Sequence, residues 1–262
     1  MEFNGYCCGQ TLMLTFDCFY KAFSALRHYS LLSAVVVIGL PLASSSSFAS
    51  YCDIDQSEFG HAIVQIEQGG NYSTGVVIGK NRLLTVAHAI DWQSQPITIT
   101  ANIRGRYANA HPILVYEDTD LALLQVDTGS VRPIPLSRRS LQVDEKIWVS
   151  GYPLGRARTI EPGAVSSVES QSIITSATVF PGVSGGGLVR CDRTSGDYEL
   201  AGIVTSYLAS VQGGEYLNTG DSVSLNISYI RQLMLADVQR SGVAADGFSS
   251  EIAGVTVHSS SH

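Results

Sequence analysis

Charge is scarce in this chain. Asp, Glu, Lys and Arg make up only 15% of its 262 residues, and lysine and arginine form no long run anywhere. With a formal net charge of −7, it lacks the cationic face that nucleic acid requires, so that class of partner is set aside. Cysteine is sparse as well: Cys7, Cys8 and Cys18 crowd the start, and only Cys52 and Cys191 remain beyond it. No metal-ligand spacing of His and Cys occurs, so neither a metal nor another cofactor is expected. Long apolar runs are also missing. The longest, Leu31 to Leu42, spans about 12 residues where a membrane-crossing helix needs about 20.

Lys21 and Arg27 precede that apolar run, and Ala43 and "SSSSFAS" follow it. Basic, then apolar, then small is the layout of a secretory signal, with Ser47-Phe48-Ala49 as the cleavage site. Residues 1–49 are therefore expected to be a leader, with Met13 as an alternative start and an uncleaved anchor as the alternative fate. The mature protein is expected to be secreted or periplasmic, without stable membrane insertion once the leader is gone. Tyr51 before Cys52 argues against a lipid-modified cysteine. In an oxidising compartment the even pair Cys52 and Cys191 is expected to form one disulfide. On the chain-entropy model so long a loop contributes about 4–5 kcal/mol.

The full chain is 45% hydrophobic and rich in glycine, with 25 of them, which fits a packed, turn-rich globule. Short β-branched runs bounded by turn residues recur at 61–66, 75–79, 83–87, 97–103, 112–116 and 121–126. After a less apolar stretch at 127–140 they resume at 146–150, 159–168, 172–180, 187–190 and 199–206. Many short strands at such spacing imply all-β barrels or sandwiches. One helix is expected after Asn226, where Ile227, Ile230, Leu233 and Met234 recur at helical spacing. Beyond Ser241 the chain is small and polar and is expected to be a solvated tail.

Within this frame one stretch stands out: Pro181-Gly182-Val183-Ser184-Gly185-Gly186-Gly187 surrounds one serine with four glycines. Glycine supplies positive φ and close backbone approach, which would leave a hydroxyl and free N–H groups exposed. His88 ends an apolar strand in "NRLLTVAHAI", where a polar ring needs a partner. In "YEDTDLALLQV", Asp120 abuts the apolar run more directly than Asp118 does. A partly buried carboxylate needs a donor, and an imidazole N–H is suitable.

"TVAH" at 85–88, "TDLALL" at 119–124 and "GVSGGG" at 182–187, in that order, resemble the chymotrypsin-fold (trypsin-like) serine peptidases. The flavour is that of the HtrA group and allied bacterial trypsin-like enzymes. "VSGYPLG" at 149–155 and "AGIVTSY" at 201–207 support the likeness, which spans roughly residues 60–235. The resemblance implies two six-stranded antiparallel β-barrels and a C-terminal helix, with the first barrel in 50–130, the second barrel and helix in 131–240, and a tail at 241–262. It implies an endopeptidase acting on protein or peptide substrates, with Ser184 as nucleophile, His88 as general base and Asp120 orienting the ring. The backbone N–H groups of Gly182 and Ser184 would form the oxyanion hole. The specificity pocket would draw on Thr178, Val179, Phe180, Thr205, Ser206 and Tyr207. Its floor position, Thr178, is uncharged, and Val204 lacks the histidine of glutamate-specific relatives, so a small or medium apolar side chain is expected there.

Departures from the family pattern matter too. Val183 stands where Asp or Asn is usual and cannot pair with a newly cut N-terminus, so activation by N-terminal insertion is expected to be absent. Gly187 replaces a proline, and nothing after residue 241 is long enough for a PDZ domain. Two other readings compete. One is a catalytically weak or inactive two-barrel binding or sensing module, with Val183 tilting the oxyanion loop. The other, an α/β-hydrolase, fails because that class orders its residues Ser, acid, His and follows the serine with a helix.

Overall fold

Strands whose side chains alternate between two faces can bury one face completely by closing into a barrel, and this chain does so twice. The computed structural model describes residues 59–93, 98–213 and 215–241. The expected leader, Cys52 and the tail beyond Ser241 lie outside the described residues. The first barrel comprises β1 (Ile63–Gln68), β2 (Asn71–Gly79), β3 (Arg82–Thr85), β4 (Ile99–Ile103), β5 (Arg106–Tyr116) and β6 (Leu121–Val126). Its strand order is β1-β2-β3-β6-β5-β4, closed by β4 against β1. The second comprises β7 (Lys146–Gly151), β8 (Thr159–Val168), β9 (Ser172–Thr175), β10 (Gly187–Cys191), β11 (Tyr198–Gln212) and β12 (Glu215–Asn226). Its order is β10-β11-β12-β9-β8-β7, closed by β7 against β10. Every pairing between these strands is antiparallel. The two six-stranded antiparallel barrels expected from the sequence are present.

Several elements differ from the sequence reading, three of them informatively. β5 begins at Arg106, six residues before the expected run, because Arg106, Tyr107, Asn109 and His111 face outward while only the small Ala108 and Ala110 turn inward. β9 ends at Thr175 rather than 180, and the following residues leave the barrel as a loop. β12 was not expected at all. Its inward positions include Ser222 and Ser224, both fully buried, and Ser222 shares a 2.8 Å hydroxyl hydrogen bond with Thr175 of β9. Small polar residues facing inward erase the apolar alternation by which a strand is recognised. β11 and β12 also run on together as a two-stranded arm, with Ala209 opposite Asn218 and Gln212 opposite Glu215.

The connector between barrels is stitched to both. Ile134 N–H donates to Val77 O of β2 at 3.0 Å, and Leu200 N–H of β11 donates to Pro135 O at 2.8 Å. One apolar cluster continues across the seam from Ile63 and Ile66 to Trp148, Leu200 and Ile203, while a second fills the interior of the C-terminal barrel. Helix α1 (Ile227–Ser241) starts at Asn226, whose Oδ1 accepts the Ser228 N–H at 3.0 Å, an N-cap bond. Its Ile227, Ile230 and Met234 are buried in the seam-crossing cluster, and Leu233 packs against it.

Truncating Ile230, which is fully buried, to alanine is expected to lower stability by about 2–5 kcal/mol. Gln232→Ala on the exposed face should change it by less than about 0.5 kcal/mol. Urea midpoints at constant slope measure both.

Candidate active site

Strand β3 buries Leu83, Leu84 and Thr85, and the chain leaves the barrel through buried Val86 and Ala87 to present His88. Ala87 O anchors this exit by accepting the Ile90 N–H at 3.1 Å and the Trp92 indole N–H at 2.9 Å. Asp120 reaches the same place from the other side. It closes the 3₁₀ turn Glu117–Thr119 with a φ of +54°, a left-handed conformation that Asp tolerates better than most residues. Buried Leu121–Leu124 then fix β6 in the barrel.

The two side chains meet twice. Asp120 Oδ2 accepts from the Nδ1–H of His88 at 2.8 Å, and Oδ1 accepts the His88 backbone N–H at 2.8 Å. Holding Nδ1 as the donor leaves Nε2 as the ring's acceptor. The hydrogen bond to Asp120 raises the imidazole pKa above its ordinary value; burial opposes this and the carboxylate's charge assists it. With the imidazole side chain 51% exposed, solvent screens much of that effect.

Ser184 comes from the second barrel, in the loop between β9 and β10. Phe180, Pro181, Gly182 and Val183 form a turn closed by Val183 N–H to Phe180 O at 3.1 Å, with Gly182 at φ +95°. Proline second and glycine third is the composition of a type II turn, which demands positive φ at the third position. A Cβ on Gly182 would also stand 2.6 Å from Tyr152 O. The Pro181 carbonyl accepts the Leu154 N–H at 2.6 Å. Since a trans peptide points its N–H opposite to its C=O, the Gly182 N–H faces away from Leu154. Among the described residues neither the Gly182 nor the Ser184 N–H donates to a protein acceptor. Val183 is buried with Val149, Val179, Leu188 and Val204, so apolar packing holds the position where a charge pair is usual.

A cavity of about 250 Å³ is lined by His88, Ser184, Val179, Phe180, Thr205, Ser206 and Tyr207, with Pro181 and Val204 added to the expected set. Thr178 does not line it; that side chain is exposed and its hydroxyl donates to Gly220 O at 3.2 Å. The Ser184 hydroxyl donates to Thr205 O at 3.4 Å rather than to His88. Such bonds are often long in ligand-free sites and tighten around substrate. Cys191 is buried at the end of β10, and its expected partner Cys52 lies outside the described residues. No group of three His, Cys, Asp or Glu suited to a metal occurs among the described residues, and none of the described helices is long and apolar enough to cross a membrane. Two residues at the site escaped the sequence reading. Thr74 of β2 and Leu154 both bond the Ser184 loop. Leu154 sat within the quoted "VSGYPLG", but nothing in that string assigned it a role.

Residues 73–195 match the family model of the trypsin-like peptidase domain. Among solved structures, the chain is similar to Rv3671c from M. tuberculosis H37Rv, a serine-to-alanine variant in its inactive form. That match has 18% identity and a TM-score of 0.57, covering 71% of this chain and 91% of that one. The active form of the Rv3671c protease gives 19% identity and a TM-score of 0.55, covering 66% and 79%. The serine endoprotease from Yersinia pestis gives 24% and 0.57, covering 69% of this chain and 64% of that one. At these identities the solved structures speak for the fold.

Two measurements follow from the geometry. In an NMR titration the His88 ring should show a midpoint above about 6.5, the value of a free imidazole, and Asp120→Asn should lower it. Because the folded pKa is raised, the pair's contribution to stability is fully present below that reference value. It is lost as pH rises through the folded midpoint. Val183→Asp should place an unpaired carboxylate in an apolar cluster, destabilising the fold by about 3 kcal/mol or more in urea unfolding.

Proposed function

We propose that this two-barrel chain, whose residues 73–195 match the trypsin-like peptidase domain, is a chymotrypsin-fold serine peptidase, an exported endopeptidase working through His88, Asp120 and Ser184. The observation that carries this reading is the double hydrogen bond of Asp120 to His88 at the mouth of the cavity that Ser184 also lines. The Ser184 Oγ attacks the carbonyl carbon of the scissile peptide while its proton passes to His88 Nε2. Asp120 keeps the ring in the accepting tautomer and stabilises the imidazolium. The tetrahedral oxyanion takes the N–H groups of Gly182 and Ser184. Collapse breaks the C–N bond, and the imidazolium returns the proton to the departing amine. Water, deprotonated by His88, then attacks the acyl-enzyme and releases the second product. Losing one oxyanion donor costs about 10²–10³ in rate in such sites.

Val179, Phe180, Pro181 and Val204 give the cavity uncharged walls, which supports cleavage after small or medium apolar side chains. A randomised peptide library tests this; strong cleavage after Arg or Lys would contradict it. Export rests on the leader-like residues 1–49, and mass spectrometry of the secreted protein should find a new N-terminus near Ser50. Under non-reducing conditions it should also find Cys52 joined to Cys191.

A fluorophosphonate probe tests the activity itself. Wild-type protein should gain one adduct, on Ser184, and Ser184→Ala none. Asp120→Asn should lower kcat by about 10⁴, as expected for a ring in the wrong tautomer. A folded wild-type protein that stays unlabelled would favour the binding or sensing module instead.

A further inference from the structure

The turn that carries Gly182 and Ser184 is gripped from two sides, and neither grip involves a charge. Thr74, on β2 of the first barrel, is fully buried. Its backbone N–H donates to Ser184 O at 2.9 Å, and its hydroxyl donates to Gly182 O at 2.7 Å. The same hydroxyl oxygen accepts the Tyr152 N–H at 3.0 Å. One residue thus holds the Gly182–Val183 peptide with its side chain and the Ser184–Gly185 peptide with its backbone. Thr74 O accepts the Thr85 hydroxyl at 2.7 Å, which ties the grip to the end of β3, three residues before His88. The second grip is the Leu154 N–H on Pro181 O. Leu154 delivers it from φ +54°, ψ +28°, with its side chain 56% exposed. A leucine in the left-handed region without packing to reward it is strained backbone of the kind found at functional sites.

A type II turn has a close alternative. Rotating its central peptide gives type I, which reverses the N–H and C=O of that peptide. Here the rotation would bring Pro181 O to the substrate side and turn the Gly182 N–H away, emptying half the oxyanion hole. It would also break the Leu154 bond and strain the Thr74 bond to the next carbonyl. We propose that Thr74 is a positioning residue which, with the Leu154 N–H, locks this turn in its donor orientation. An uncharged clamp reaching across the two barrels thereby takes the place of a charge pair at residue 183. The inference rests on the peptidase reading above and adds the means by which that site is kept competent.

Kinetics of full-length variants test it, normalised to folded protein by circular dichroism. Thr74→Val keeps the shape and deletes the hydroxyl; kcat should fall about 100-fold, the scale of one oxyanion donor, with KM little changed. Thr74→Ser restores the hydroxyl and should recover most of kcat, which a packing role would not allow. At the exposed turn, Leu154→Asn, tolerant of positive φ, should retain several-fold more turnover than β-branched Leu154→Val. Wild-type protein inert to the fluorophosphonate probe would refute the peptidase reading itself. An active wild type with unchanged kcat in Thr74→Val, equal losses in the Val and Ser variants, or a loss confined to KM would overturn the role of Thr74. If Thr74→Val does not fold, the Leu154 pair decides: the stated order supports the clamp and equal turnover overturns it.

Discussion

A backbone hydrogen bond 2.9 Å long, from Thr74 N–H to Ser184 O, crosses from one barrel to the other, and the site depends on what that crossing represents. His88 and Asp120 belong to the first barrel, Ser184 and Gly182 to the second. On the proposed mechanism, a shift of about 1 Å between them would cost on the order of 10² in rate. The seam must therefore be as rigid as the barrels themselves. It is held by the shared apolar cluster, by the connector bonded to β2 and β11, by Gln65 Nε2 on Gly155 O at 2.8 Å, and by Tyr152 OH on Ile63 O at 3.3 Å.

The economy of charge noted at the outset reappears at the site. One carboxylate holds one imidazole, and the loop opposite is fixed by backbone hydrogen bonds, a threonine hydroxyl and the buried isopropyl group of Val183. An apolar residue there removes the need for a newly cut N-terminus to neutralise an acid. Within the protein, turn chemistry does the work: Pro181 presets the turn's second position, and glycine at 182 accepts the φ that the third requires. At Gly185, φ +83° and the closeness of Thr74 O make the same demand a second time.

The legible parts of the chain were those in which residue type alone constrains geometry. His88 at the end of an apolar strand, Asp120 against Leu121 and glycines around Ser184 could be read as one constellation because polar groups at such places need partners. The short apolar runs of β1, β2, β3 and β6 announced an all-β fold, barrel or sandwich, and the family resemblance chose the barrel. β12 stayed hidden because small polar residues, Ser222 bonded to Thr175 and Ser224, fill its buried positions, so burial there carries no apolar signature. Thr74 and Leu154 were illegible for a different reason. Their contribution lies in backbone direction and hydrogen bonds to carbonyls more than seventy positions away in one case, which no local pattern of side chains encodes. Thr178 was assigned to the pocket by position in a motif, but the loop after β9 turns its hydroxyl to Gly220 instead.

A crystal structure with a peptide boronic acid would test the central claim most directly, because tetrahedral boron mimics the intermediate. The expected result is a bond from boron to Ser184 Oγ, one boronate oxygen accepting from the Gly182 and Ser184 N–H groups, and the other facing His88 Nε2. Boron bound elsewhere, or bound to Ser184 with the Pro181 carbonyl turned toward it in place of the Gly182 N–H, would contradict the account.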